Sequence, residues 1–444
     1  MSNSITSRSV TTDLDARPAL ASFSSRRLFL KQLSVAVGTI AAAPFLAHAA
    51  GKKMTILVRS SWQTVNIGDI GHTPGVLTLL YRYLPEAEII LWPTSVDHGV
   101  AEMLLKNFPK LQIAKGNVDR EGKPQSEDLK NAFKNSDFLL HGSGPYVVAE
   151  SHVEAWRKQT GKPYGIYGVS IGEVSPALKN LIDHAAFIYC RDTDSLKYLK
   201  EKNVICPVME FAPDATFGIT LRDDAKADNY LKSVGLEAGK FICVIPRLRF
   251  TPYWKVHSTE PTESDKKTYA TSQKYQEVDH AKLRTAIIKW VENTGLKVLA
   301  CPEMNYQVEL AKEVLVDPLP KKIKENVVWR DSYWNPDEAG SIYAKSLVVL
   351  SIEMHSPIIA AAMGTPAIHV RQPTDTRKGQ MWRDIGLAEW LFEIDECTGE
   401  QIAATLLAIQ ANYPQAKAKL KKAMGMVKNR QRASMKELSN QFKE

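Results

Sequence analysis

The chain has 444 residues, 44% of them hydrophobic and 24% charged, with 24 glycines and 23 prolines. That balance excludes a disordered or fibrous chain and leaves a globular protein long enough for two domains of about 150–200 residues each. The formal net charge of +8 is modest and comes without a recognition motif, so no nucleic-acid partner is expected.

The first segment stands apart. Ser25-Arg26-Arg27-Leu28-Phe29-Leu30-Lys31 precedes the mild apolar run VAVGTIAAAPFL and the small-residue pattern Ala47-His48-Ala49. This reads as a twin-arginine export signal over residues 1–49, whose apolar core is too short for a membrane span, the alternative being an uncleaved N-terminal anchor. Periplasmic or equivalent localisation and a twin-arginine translocase as partner follow as expectations. The segment carries five Lys or Arg and two Asp, so the remainder keeps +5 of the +8.

From residue 54 strands and helices alternate: MTILV, then the helical IGHTPGVLTLLYRYL, then AEIILW, DFLLHGSG, YGIYGVS and AFIYCRD. Such alternation predicts βαβ units and a parallel sheet over 54–225. The charged stretch LRDDAKADNYLKSVGLEAGK reads as a connection. A second series, KFICVIP, GLKVLACP, ENVVWRD, SLVVLSIE and TPAIHVR, predicts another α/β domain over 240–395. The fold class is therefore α/β, with two Rossmann-like domains whose strand ends face each other across a cleft.

Between Pro252 and Val278 lies a polar stretch too long for an ordinary connection, which predicts a lid or a disordered loop. Tyr253 and Trp254 at its start are candidates for stacking on a sugar or for tethering the stretch. Residues 396–444 read as helical. Within them AKAKLKKAMGMVKNRQR places Leu420, Met424 and Val427 at helical spacing, making its basic residues a solvated face. Five cysteines, 190, 206, 243, 301 and 397, form no CxxC pair, and no metal site or cofactor is expected; Cys190, Cys243 and Cys301 read as small core residues.

The chemistry is expected in the loops after strands. In Asn66-Ile67-Gly68-Asp69, Asp69 is placed to cap a helix and Gly68 to admit a ligand closely. His141-Gly142-Ser143-Gly144 offers backbone N–H groups to an anion or a sugar hydroxyl, or is simply a tight turn. Arg191 stands at a strand end and suits a phosphate or carboxylate, while Asp214 reads as a cap of the connecting segment. Arg247 and Arg249 are either solvated surface cations or anion ligands. His355 opens a small-residue helix in Ser351-Ile352-Glu353-Met354-His355-Ser356-Pro357.

Taken in order, NIGD, GSG, YGVSIG, CRDTDS, APDATF and MHSPIIAAAMGTPAI resemble the polysaccharide pyruvyl transferase family over nearly all of the chain after residue 49. The resemblance implies the glycosyltransferase type B arrangement and transfer of a pyruvyl group from phosphoenolpyruvate to a sugar hydroxyl pair as a ketal. It implies a donor site at His355, with Ser356, Arg191, Arg247 and Arg249 holding an anionic donor. Asn66, Gly68, Asp69, His141, Gly142, Ser143 and Gly144 would line the cleft from the other domain and a glycan would be the acceptor. His355 would exchange the proton as the enol carbon is protonated and a hydroxyl deprotonated.

Two features depart from the family. Glu353 stands where the family commonly has arginine, either as a base or as a backbone contact. The export signal removes the protein from the compartment where phosphoenolpyruvate is made. Three readings follow: action before export or with another donor, an exported non-catalytic glycan-binding protein, and a sugar-nucleotide glycosyltransferase supported by architecture alone.

Overall fold

The computed structural model describes residues 53–375 and 377–442. The segment read as an export signal lies outside them. Among the described residues no helix is long and apolar enough to cross a membrane.

Seven strands build the first sheet: β1 Thr55–Ser60, β2 Glu88–Pro93, β3 Gln112–Ile113, β4 Phe138–His141, β5 Tyr164–Val169, β6 Phe187–Cys190 and β7 Met209–Phe211, in the order β3-β2-β1-β4-β5-β6-β7. Six build the second: β8 Phe241–Ile245, β9 Lys297–Ala300, β10 Val327–Trp329, β11 Val349–Ser351, β12 Ala367–Arg371 and β13 Leu391–Glu393, in the order β10-β9-β8-β11-β12-β13. Neighbouring strands pair in parallel throughout. The central strands β1 and β8 are buried along their whole length, because helices cover both faces of a parallel sheet and the sequence there is continuously apolar. Each sheet reverses its order beside its first strand, between β1 and β4 and between β8 and β11. That is where a crevice opens at the carboxyl ends of the strands, and both crevices belong to one compact unit, 52–444.

The short edge strands β3, β7 and β13 are absent from the sequence reading. They hold two or three residues each and none is fully buried, so they lack the apolar run that marks a central strand. The charged connection contains a helix, Asp224–Ser233.

The largest correction concerns 252–278. It is not an irregular loop but a short helix, Tyr253–Val256, followed by the first half of a 32-residue helix, Glu263–Thr294. A capping box between Thr262 and Asp265 opens that helix and Gly295 in the left-handed conformation closes it. No glycine or proline interrupts it. Polarity here marked the solvated side of a long helix, not irregular chain.

The C-terminal helix Tyr413–Asn440 buries Leu420, Met424 and Val427 and exposes Lys421, Lys422 and Lys428. Each of those apolar side chains contributes about 1.5–3 kcal/mol. The helix runs back to the first sheet, where Ser434 Oγ lies 3.4 Å from the Tyr167 hydroxyl and the Phe442 ring packs edge-on to Phe138 at 5.5 Å. All five cysteines are buried and free of disulfides.

Candidate active site

The two halves meet through backbone at the loop after β1. Ile67 N–H donates to Glu303 O at 3.0 Å, Asn305 N–H to Val65 O at 3.0 Å, and Asn66 bridges Met304. The cap of the helix Ile67–Tyr83 is Asn66, whose side chain accepts from Gly68 N–H at 2.7 Å. Asp69, expected as the cap, sits in the first turn and accepts from the Gln63 amide. Gly68 does admit a close approach, but by the protein itself. A Cβ there would stand 2.3 Å from His355 Nδ1 and 2.6 Å from its Cβ, so any larger residue would drive the imidazole out of place.

Beneath that contact lies a fully buried charge network. Asp214, expected only to cap, caps the turn Ala215–Gly218 by accepting from Thr216 N–H at 2.8 Å. It also holds a guanidinium and an imidazole: Arg191 Nη1 donates to Oδ2 at 2.7 Å, and His72 Nδ1 lies 3.0 Å from Oδ1. Arg191 Nε donates to Ser170 Oγ at 3.0 Å. Burial alone raises the pKa of Asp214, but His72, Arg191 and His355 outweigh it and hold the carboxyl well below its usual range. Arg191 is thus a strand-end guanidinium as expected, and its first partner is a protein carboxylate.

On the other side, His355 opens the helix His355–Ala362. Glu303, in the loop after β9, places Oε1 3.5 Å from His355 Nδ1. Its Oε2 accepts from Ser356 N–H at 2.5 Å and from Ser356 Oγ at 2.8 Å. The helix mouth expected to receive a donor's anionic group is therefore occupied by Glu303, and Ser356, expected at the donor, is the residue that holds it. Gln307 completes the loop by accepting from Glu303 N–H at 2.8 Å and donating to Glu353 Oε1 at 2.7 Å.

Glu353 is neither exposed nor bound to a backbone N–H by that contact; its Oε2 lies 3.3 Å from Arg247 Nε. Arg247 also pairs with Asp375. Burial disfavours its charge, but Asp375 and Glu353 outweigh the loss and keep it firmly protonated. Arg249 is already paired within the protein: Nε and Nη2 grip Asp279 at 2.9 and 2.8 Å, Nη1 donates to Asp395 at 3.3 Å, and the guanidinium lies 3.7 Å from the Tyr275 ring centre. Its fork-shaped donor set is spent on holding the helix Glu263–Thr294 to the second sheet.

The His141–Gly144 stretch takes the second of its two readings, a tight turn. Gly142 N–H donates to Arg59 O at 2.9 Å and Gly144 N–H to Gly168 O at 3.3 Å, while Ser143 Oγ accepts from Ala215 N–H at 2.9 Å. These groups are consumed by packing instead of forming an anion cradle. His141 accepts from Ala149 N–H at 3.2 Å, and burial, then the nearby Arg59 charge, lower its pKa to about 3. Tyr253 stands 46% exposed at the cleft mouth. Burial, then the Asp69 charge, raise the pKa of its hydroxyl, and Gln63, Glu353 and Arg247 are its other neighbours.

Sequence reading missed Glu303 and His72. Glu303 stands three residues beyond β9, in the position relative to its strand that Glu353 has to β11 within one residue; His72 is a histidine on the apolar side of a helix. Donor atoms of His72, Asp214 and His355 lie within 4.8 Å of one another. A cation there would have to compete with Arg191 for Asp214, so an ion-pair network fits this set better than a metal site.

A family model described as polysaccharide pyruvyl transferase matches residues 66–372. None of the curated proteins matches the chain significantly. Among solved structures, a putative UDP-N-acetylglucosamine 2-epimerase from Listeria monocytogenes is similar with a TM-score of 0.55 and 13% identity, covering 84% of this chain and 91% of that one. The UDP-GlcNAc 2-epimerase of Neisseria meningitidis, bound to UDP-GlcNAc, gives 0.51 and 12%, covering 87% and 100%. UGT89C1 of Arabidopsis thaliana, complexed with UDP, gives 0.50 and 12%, covering 86% and 100%. These likenesses establish the glycosyltransferase type B arrangement of the two Rossmann-like domains.

Proposed function

Because the chain belongs to the polysaccharide pyruvyl transferase family, we propose that it transfers a pyruvyl group from phosphoenolpyruvate, or another anionic enol donor, to two hydroxyls of a glycan as a ketal. The observation that carries the reading is the place of His355, at a helix mouth of the second domain and pressed on Gly68 of the first. Glu303, 3.5 Å from Nδ1, favours a proton on the imidazole, the group that would exchange one with substrate.

The transfer needs little else of the protein. One sugar hydroxyl oxygen bonds to C2 of the enol, the C2=C3 electron pair takes a proton at C3, and the hydroxyl proton is released. A second hydroxyl oxygen then bonds to C2 as the C2–O bond to phosphate breaks. The phosphate leaves with that electron pair and takes up the second hydroxyl proton. His355 serves as the proton carrier of the first step, and Tyr253 at the cleft mouth gives the acceptor sugar a ring to stack on.

The test is direct. Full-length protein mixed with phosphoenolpyruvate and a candidate glycan is followed for phosphate release and for the new ketal methyl signal by NMR. Equilibrium binding of phosphoenolpyruvate, sugar nucleotides and glycans is measured alongside. Absence of donor binding with glycan binding retained would overturn the reading in favour of a non-catalytic glycan-binding protein. A specific observation favours that second reading: Glu353 and Asp375 already neutralise Arg247, and Glu303 fills the helix mouth. Preference for sugar nucleotides would instead favour a sugar-nucleotide glycosyltransferase.

Export through the twin-arginine route belongs to the same proposal. Replacing Arg26 and Arg27 together by lysine should retain the precursor in the cytoplasm; unchanged export in a cell-fractionation assay refutes it.

A further inference from the structure

Two imidazoles meet across the cleft, and the scheme above uses only one. The His72 and His355 rings are 4.9 Å apart and perpendicular. They arrive from different sequence regions, His72 from the helix Ile67–Tyr83 and His355 from the mouth of His355–Ala362. Each has a carboxylate at Nδ1: Asp214 Oδ1 at 3.0 Å from His72, Glu303 Oε1 at 3.5 Å from His355. His72 is completely buried, Thr216 Oγ1 lies 3.1 Å from its Nδ1, and its Nε2 has no hydrogen-bond partner among the described residues.

We propose that His72 is a positioning residue for His355: anchored by Asp214, it fixes the edge-on setting of the His355 ring and couples its own protonation to that of the proton carrier. The proposal rests on the reading of His355 as that carrier. Three features make the coupling strong. Burial excludes the water that would screen the pair. Asp214 and Thr216 fix the His72 ring at one end, so its opposite edge has a defined direction. Gly68, on the helix bearing His72, has no side chain, and a Cβ there would collide with the His355 ring. Among the charged and titratable groups facing His355 are His72 and Asp214, with Arg191 behind Asp214, from the first domain, and Glu303 from the second. A cationic His72 disfavours a second proton on His355, and a neutral one relieves that cost.

The full-length protein with isotope-labelled histidines tests this by NMR, the His355 signal being identified from the His355→Ala variant. In the wild type, His355 should titrate in two steps, one reporting its own proton and one that of His72. His72→Asn keeps an N–H for Asp214 and removes the ring. It should collapse the titration to one step and move its midpoint by about half a pH unit or more, roughly threefold in the proton equilibrium. In the transfer assay the same variant should lower kcat by about tenfold or more, with the pH profile displaced equally and the donor KM nearly unchanged. A one-step titration in the wild type overturns the proposal even if no variant folds. So does a folded His72→Asn protein with unchanged His355 titration. A divalent ion retained stoichiometrically by wild type and lost in His72→Asn would also overturn it, because the imidazoles would then be ligands. Failure of the transfer assay alone, with two-step titration intact, would strike at the proposed function and not at the coupling.

Discussion

The carboxyl edges of the two sheets have the same architecture and a different pairing of charges. At the first, a single carboxylate, Asp214, holds both Arg191 and His72. At the second, Glu353 and Asp375 share Arg247, Asp279 and Asp395 share Arg249, and Glu303 closes the helix mouth beside His355. The fold decides where a ligand can sit, since both edges lie at a reversal of strand order. The residues one to four places beyond each strand decide which charge is welcome there. Among these side chains, the second edge has more carboxylates than guanidiniums, whereas at the first Asp214 and Arg191 pair one to one.

The sharpest way to break the comparison is to remove one carboxylate from each side. Asp214→Ala leaves Arg191 buried without its counter-ion and should cost about 3–5 kcal/mol of stability. Asp375→Ala leaves Arg247 with Glu353 and should cost about 1–2 kcal/mol. Equal losses in denaturant unfolding would mean the two edges are not balanced differently.

Next comes His355→Ala. It should lower transfer by about a hundredfold or more and, because the ring is buried against Glu303 and His72, also cost about 1–3 kcal/mol of stability. Full turnover in this variant would reduce the imidazole to a packing group.

Acid should then act on both halves through buried neutral histidines. Burial, with Arg59 adding to it, lowers His141 to about 3 and His152 to about 4 in the first half; burial lowers His280 to about 4 in the second. A folded-state value below the unfolded value of about 6.5 means that the unfolded chain takes up the proton first. Stability is therefore full above pH 6.5 and falls as pH drops from there toward 4, at up to about 1.4 kcal/mol per pH unit for each histidine. His141→Gln should flatten that slope in denaturant titrations at pH 6.5 and 5.0; an unaltered slope would assign the acid sensitivity elsewhere.

The smallest effect sharpens the charge contrast. Glu353→Gln keeps a side chain able to meet Gln307 and frees Arg247 of one carboxylate. It should tighten binding of phosphoenolpyruvate by a few-fold, about 0.5–1 kcal/mol. Unchanged affinity by calorimetry would show that Arg247 does not face the donor.

What the sequence determined by itself was the fold and the family. The runs TILV, EIILW, FICVI and KVLA form buried central strands in the places expected, because burial on both faces demands continuous apolar residues and composition records that demand locally. The ordered loop motifs were legible for the same reason, each being a contiguous stretch. His355 at a helix mouth was legible too, since a strand end and a helix start are both written within a few residues.

Tertiary structure alone decided the partners. His72 and Asp214 are 142 positions apart, Ser356 and Glu303 are 53 apart, and Arg249 and Asp395 are 146 apart. Nothing in a local window distinguishes an arginine that will meet a ligand, as Arg247 was expected to, from one such as Arg249 already gripped by two aspartates. The physical reason is that Coulomb attraction and hydrogen bonding act over a few ångströms of space with no memory of chain distance. Hydrophobic periodicity is written along the chain, whereas the charge balance of the cleft exists only once β6, β7, β9 and β11 have brought their ends together.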